Sequence, residues 1–260
     1  DLQKSKECYQ RALDIRLKRL GPEHVHVADI YYGLGIVQRK LGDLQKSKEC
    51  YQRALDIRLK RLGPEHVDVA RNYFKLGNVE RELCNLQKAK EHLECALDIQ
   101  LKKLGPEHLE VVDTYHNLGM VHRKWNNLGQ AKEYHEQALA IRLKNLEPEH
   151  VDLANSYHHL GNVQFVLDNM QQAKELYERA LHIQLKNLEP DHVYVAFSYN
   201  SLGDVHHEFG DLEQAKEYFN RALNIRLKKL GHEHVDVRSI QNKLRNVQLA
   251  IDDLRHGMER

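Results

Sequence analysis

The sequence predicts an all-α solenoid of stacked helix pairs, and three observations predict it. First, one short stretch returns at a fixed interval. It reads Gly21-Pro22-Glu23-His24-Val25 and repeats unchanged from Gly63 to Val67. It returns as Gly105-Pro106-Glu107-His108-Leu109, Glu147-Pro148-Glu149-His150-Val151, Glu189-Pro190-Asp191-His192-Val193 and Gly231-His232-Glu233-His234-Val235. Copies thus start at 21, 63, 105, 147, 189 and 231, a period of 42 residues. A period of this size marks a repeat array, in which each unit buries its apolar face against its neighbours. Second, apolar and small residues between these junctions fall at helical spacing, as at Leu44, Ser47, Tyr51, Ala54, Leu55, Leu59 and Leu62. Third, 41% hydrophobic and 30% charged residues with only 5 Pro and 14 Gly suit a helical protein and argue against disorder.

Counting from Asp1 gives one array over 1–252, with units 1–42, 43–84, 85–126, 127–168, 169–210 and 211–252. Each unit opens on an expected N-cap: Asp1, Asp43, Asn85, Asn127, Asn169 and Asp211. The helix that follows, type B, runs in the second unit from Leu44 to about Leu62, with Arg58, Lys60 and Arg61 complementing the dipole at its end. The basic ends of these helices, with Lys18, Arg19, Lys60, Arg61, Lys102 and Lys103, are expected along one rim. Gly63 stops the helix, and Pro64 is expected in the first turn of the next, type A, helix. Type A ends near Leu83, followed at the matching positions by Gly42, Cys84, Asn126, Asp168 and Gly210. Gly, Asn and Asp tolerate a left-handed backbone, so Cys84 is the odd member.

Each of the first five type A helices carries a Gly, at Gly35, Gly77, Gly119, Gly161 and Gly203. A helical Gly costs about 1 kcal/mol relative to Ala, so its return implies a packing too close for a Cβ. Type B answers with small residues such as Ala54, Ala96, Ala138, Ala180 and Ala222.

The pattern Tyr73-x2-Leu76-Gly77, then Ala89, Ala96 and a Pro, resembles the tetratricopeptide repeat, usually 34 residues long. The 42-residue form, with Ala54-Leu55-Asp56-Ile57-Arg58-x-Lys60-x-Leu62-Gly63 before His66-x2-Val69-Ala70, is similar to the repeats of kinesin light chains and nephrocystin-type proteins. The resemblance covers residues 1 to about 250 and implies a right-handed superhelix of about twelve helices that binds partners in a concave groove lined by type A helices. Where kinesin light chains carry Asn pairs for cargo peptides, this chain has Tyr32-Gly33, Phe74-Lys75, His116-Asn117, His158-His159 and Asn200-Ser201. The scaffold is therefore implied, and its ligand is not.

Positions identical between copies build the stack, whereas positions that differ are free to address a partner. Variation is highest on one face of type A, in four rows spaced by three, four and three residues. The first row reads Asp29, Arg71, Asp113, Asn155, Phe197, and the second Tyr32, Phe74, His116, His158, Asn200. The third reads Ile36, Asn78, Met120, Asn162, Asp204, and the fourth Arg39, Arg81, Arg123, Phe165, His207. Three guanidiniums on successive repeats suit carboxylates along an extended peptide. The candidate peptide-binding residues are therefore Arg39, Arg81, Arg123, Tyr32, Phe74, Asn78, His116, His158, Asn162 and Phe165. The expected partner is a protein or peptide with an acidic part and an apolar anchor near Phe165 and Phe197. An alternative is that Asp29, Asp113 and Glu82 neutralise the arginines in a solvated face.

Other chemistries find little support. Lys+Arg 39 against Asp+Glu 38 leaves a net charge of +1, which excludes the basic excess of a nucleic-acid binder. Cys8, Cys50, Cys84 and Cys95 show no zinc spacing, and no phosphate loop, nucleophile elbow or HExxH is present, so we expect no metal, cofactor or catalytic residue. Six of the 18 His are the junction residues His24, His66, His108, His150, His192 and His234, read as packing or capping groups. Without a long apolar run or leader pattern, no membrane partner and a cytoplasmic location with reduced thiols are expected. The absence of an initiator Met suggests a piece of a longer protein.

The two ends differ. Residues 1–25 are identical to 43–67, so the helix over 2–20 has an internal sequence with no helix before it, and end-to-end self-association through it is expected. In the last type A helix, 234–252, Arg238, Gln241 and Arg245 replace the Ala, Tyr and Gly of the other copies, the pattern of a polar cap, with residues 253–260 as a C-terminal tail. The expected function is a non-catalytic interaction scaffold. The alternative is a structural spacer or self-associating rod with no groove ligand.

Overall fold

The computed structural model describes residues 1–258, and among these there are twelve α-helices and no strand. They are α1 (Leu2–Leu20), α2 (Val25–Lys40), α3 (Leu44–Leu62), α4 (Val67–Glu82), α5 (Leu86–Leu104), α6 (Leu109–Lys124), α7 (Leu128–Asn145), α8 (Val151–Val166), α9 (Met170–Asn187), α10 (Val193–Glu208), α11 (Leu212–Leu230) and α12 (Val235–Met258). Odd-numbered helices are type B and even-numbered ones type A. The last helix continues through residues 253–258, which the sequence reading assigned to a tail, while Glu259 and Arg260 lie outside the described residues.

The chain divides into two compact units, residues 1–141 and 142–260. In unit 1 the most extensive packing joins α2 to α3 and α4 to α5; in unit 2 it joins α8 to α9 and α10 to α11. The tight pair is therefore type A followed by type B, whereas counting from Asp1 couples each B to the A after it. Small residues set this pairing. A Cβ on Gly35, Gly77, Gly161 or Gly203 would lie 2.6 to 2.7 Å from atoms of Tyr51, Leu93, Tyr177 or Phe219. Those four side chains are at most 2% exposed. Burying an aliphatic or aromatic side chain of this size is worth roughly 1.5–3 kcal/mol, more than the helical Gly costs.

The junction differs from expectation. Pro64 does not enter α4 but sits second in a turn closed by His66 N–H donating to Gly63 O at 3.4 Å, the position that suits its fixed φ. The helix then starts on His66, whose Nδ1 accepts from Asp68 N at 3.1 Å. All six junction histidines cap this way, with Nδ1 accepting at 3.1 to 3.2 Å from the amide two residues on. Where Gly begins the junction, Gly21, Gly63, Gly105 and Gly231 take φ of 80 to 86° and the B helix keeps 19 residues. With Glu147 and Glu189 in that place, α7 and α9 stop after 18. A non-Gly residue disfavours the left-handed region, so the helix ends earlier.

At the other turn, Gly42, Cys84, Asn126, Asp168 and Gly210 all adopt positive φ, with Cys84 at 61°. The expected N-caps hold at Asp1, Asp43, Asn127 and Asp211 but not at Asn85 and Asn169. These two amides instead donate backward, Asn85 Nδ2 to Glu80 Oε2 at 2.7 Å and Asn169 Nδ2 to Gln164 Oε1 at 2.9 Å. A buried acceptor at the end of the A helix outcompetes the exposed cap amides.

A second buried polar ladder was not legible in advance. Arg58 Nη1 donates to Asn72 Oδ1 at 2.6 Å in unit 1, and Arg142 Nη1 to Ser156 Oγ at 2.7 Å in unit 2. Thr114 and Ser198 donate to Gln100 and Gln184, both at 2.7 Å. Each bond spans 14 residues and ties a B helix to the A helix after it. The basic rim is tied too: Lys60 reaches Glu23, Lys103 reaches Glu65, Lys186 reaches Glu149 and Lys229 reaches Asp191, each the third residue of a preceding junction. Exposed pairs of this kind add little stability but fix register.

Candidate functional site

The variable face of the A helices forms an accessible wall in each unit, set by which positions the packing leaves over. In α4, Asn72, Leu76, Gly77 and Val79 are buried against neighbours, while Arg71, Phe74 and Lys75 stay accessible. In unit 1 this wall encloses a cavity of about 200 Å³ lined by Tyr32 of α2, Arg71, Phe74 and Lys75 of α4, Gln100 of α5, and Glu110 and Asp113 of α6. Tyr32 and Phe74 were expected here as binding residues and Arg71 and Asp113 on the same variable face; Lys75, Gln100 and Glu110 were not.

Arg71 is held at the cavity wall. Its Nη2 donates to Glu110 Oε1 at 2.7 Å and its Nη1 to Asp68 Oδ1 at 3.0 Å, and the first of these raises its pKa. Tyr32 lies edge-on to Tyr51 at 5.5 Å, with the Arg58 guanidinium 5.1 Å from its centroid. Burial pushes the Tyr32 phenol up. The Lys75 ammonium sits 5.4 Å from the Phe74 ring, and burial pushes its pKa down.

The arginine row takes three different forms. Arg39 is engaged by Glu82, its Nε donating to both carboxylate oxygens at 3.0 and 3.1 Å and its Nη2 adding a further contact. This is the neutralisation by Glu82 that the sequence raised as an alternative. Arg81 is half-buried; desolvation lowers its pKa and Arg39 lowers it further, with Glu82 opposing. Arg123 is half-buried near the end of α6. Asn78 is buried with its Oδ1 unpartnered among the described residues, and His116 packs on His135 at 5.3 Å.

In unit 2 the wall is a polar and aromatic network. His158 Nε2 meets Ser201 Oγ at 3.2 Å and its Nδ1 meets Asn162 Nδ2 at 3.3 Å, while Tyr177 Oη donates to Asn162 Oδ1 at 2.8 Å. Phe165, expected as an apolar anchor, packs on the cluster of Ala173, Tyr177, Leu202 and Val205. The accessible ring is Phe197, 39% exposed, which stands 6.4 Å edge-on from His158 and 6.5 Å from exposed Tyr194.

Lys75 was missed because its row, Gly33, Lys75, Asn117, His159, Ser201 and Lys243, lies beside the four rows followed. The signal was available, since this row also changes character from copy to copy. Among the described residues no group of three His, Cys, Asp or Glu side chains is placed to hold a metal, and no helix is long and apolar enough to cross a membrane.

Helix pairs closed by Gly-to-ring contacts, joined by repeated turns and presenting a variable wall, define a helical-repeat scaffold, a class typical of protein–protein interaction and typically non-catalytic. The chain belongs to the tetratricopeptide repeat family, whose model matches residues 1–60, 39–102, 68–144 and 152–228. Its fold is all-α, an α-solenoid of that family. Among solved structures, BtubC (BKLC) from P. vanneervenii is similar at 23% identity and a TM-score of 0.74, covering 90% of this chain and 94% of that one. A Podosopora anserina chain described as a kinesin light chain of nearly identical TPR-like repeats is 26% identical with a TM-score of 0.67, covering 80% and 98%. The apo form of RapI is 17% identical with a TM-score of 0.67, covering 88% and 92%. A search of curated proteins finds no match.

Proposed function

We propose that this chain is a non-catalytic interaction scaffold that holds an extended segment of a protein partner against the variable walls of its A helices. One observation carries the reading: packing positions recur from copy to copy, while the positions around the unit 1 cavity change residue type between copies, as from Tyr32 to Phe74 to His116. Extended peptides suit such a wall because their side chains alternate and reach successive repeats. The partner carries an apolar side chain for Tyr32 and Phe74 or for Phe197, with at least one acidic residue. A random-peptide display selection on the domain, run beside a Phe74→Ala variant, tests it. Enrichment of related peptides that weakens with the variant supports the reading, and no enrichment on either protein ends it.

A second reading is a spacer that self-associates through α1. It draws on the exposure of Leu2, Tyr9, Ile15 and Leu20, whose counterparts in the identical helix α3 include Tyr51, 1% exposed. Analytical ultracentrifugation separates the two: an association that Tyr9→Glu abolishes, without peptide enrichment, favours the spacer.

A further inference from the structure

Lys75 in α4 and Lys243 in α12 hold the same place in the repeat but meet different surroundings. Lys243 Nζ donates to both carboxylate oxygens of Asp204, at 2.6 and 2.7 Å, and to Asn200 Oδ1 at 3.2 Å. These acceptors lie 39 and 43 residues earlier. The same offsets from Lys75 (75 − 39 and 75 − 43) lead to Ile36 and Tyr32, neither of which offers a carboxylate. With no acid at that point, the Lys75 ammonium turns over Phe74 and lines the cavity of about 200 Å³ in unit 1. Among the described residues no ion pair or hydrogen bond engages it, and the carboxylate that acts on it within the chain is Asp113, across the same cavity.

We propose that Lys75 takes a carboxylate from the partner segment, an Asp or Glu side chain, supplying in trans the group that Asp204 gives Lys243 within the chain. The inference rests on the groove reading above and assigns its acidic contact to Lys75 in place of Arg39 or Arg71. Arg39 is already engaged by Glu82, and Arg71 by Glu110 and Asp68. A half-buried ammonium has lost part of its hydration, so a charge-assisted hydrogen bond there is stronger than one at a free surface. Desolvation lowering the Lys75 pKa agrees with this state. Asp113 faces the same cavity and Glu110 is spent on Arg71, so the site favours a single acid and repels an acidic run. Tyr32 and Phe74 add an apolar wall, which places a hydrophobic residue of the segment beside its acid.

The test uses a dodecapeptide recovered by display on the wild-type domain. Its Kd is measured by calorimetry with wild type, Lys75→Met, Lys75→Arg and Ile36→Asp, and again after each Asp and Glu of the peptide is changed to its amide. Ile36→Asp rebuilds the internal pair and should occupy Lys75 without removing it. We expect one acidic position whose amide form binds roughly tenfold more weakly, a similar loss with Lys75→Met and Ile36→Asp, and recovery with Lys75→Arg. In the doubly changed pair, Lys75→Met with the amide peptide, the losses should not add. A peptide that loses affinity with Phe74→Ala but is indifferent to Lys75→Met and Ile36→Asp overturns the Lys75 assignment and leaves the groove reading intact. Failure to recover any peptide overturns both. Circular dichroism on each variant guards against a loss caused by unfolding.

Discussion

The ring of Tyr51 in α3 fills the space that a Cβ on Gly35 in α2 would need, its Cε1 lying 2.6 Å from that point. The same relation joins Gly77 to Leu93, where the Ala89 carbonyl oxygen also stands 3.2 Å away. Replacing Gly77 by Ala gains up to about 1 kcal/mol of helix propensity. It also forces a buried side chain and a backbone off position, an overpacking cost of roughly 1–3 kcal/mol. We predict net destabilisation, read as a lower thermal midpoint for Gly77→Ala; an unchanged or higher midpoint would mean that α4 and α5 separate more easily than the contacts imply.

The histidine caps give a second prediction. His150→Ala removes the acceptor for Asp152 N and should cost about 1 kcal/mol, whereas His150→Asn should restore most of it. Chemical denaturation of the two variants decides. Equal losses would show that the imidazole acts through packing instead of through Nδ1.

Cys84 holds φ of 61° at a turn where two other copies use Gly. Relieving a non-Gly residue of that conformation is worth roughly 1 kcal/mol after the entropy of the added Gly is counted. Cys84→Gly should therefore raise stability and Cys84→Val lower it, in the same denaturation assay. The opposite order would mean that the long Cys84 Sγ contact to Glu82 O, at 4.0 Å, outweighs the backbone strain.

Stability should fall on acidification in two stages. Burial lowers the pKa of His92 from 6.5, with Glu80 opposing, so the unfolded state binds the proton first. The contribution of neutral His92 is present above about pH 6.5 and is lost as pH falls below it. Burial raises Glu80, but hydrogen bonds from Lys48 and Asn85 more than offset this and leave it below 4.5. Its stabilisation is present above pH 4.5 and is lost as pH falls through its lower folded value. Thermal midpoints from pH 8 to pH 3 should therefore drop twice, with His92→Leu flattening the first fall and Glu80→Gln the second. A midpoint independent of pH between 7 and 5 would count against His92.

The periodic features were legible in the sequence because they are local or repeat. The 42-residue period, the Gly in each of the first five A helices and the left-handed turn at Cys84 each state their own physics, and the structure agrees. Pro64 misled because Pro suits both the first turn of a helix and the second place of a turn, and only the His66 cap fixes which. Asn85 and Asn169 misled because an N-cap and a backward donor are the same residue type, and the choice depends on the acceptor at Glu80 or Gln164.

By itself, then, the sequence determined the class: repeated small and large residues at helical spacing can bury their apolar faces only by stacking, and no other arrangement satisfies them all. The tertiary structure decided which charges are paired within the chain. Arg39 and Lys75 are both cations on one wall, yet Glu82, 43 residues from Arg39, engages the first, while Ile36 stands where an acid would engage the second. Pairing of charges across helices depends on distances between residues a repeat apart, and those distances exist only once the helices are packed.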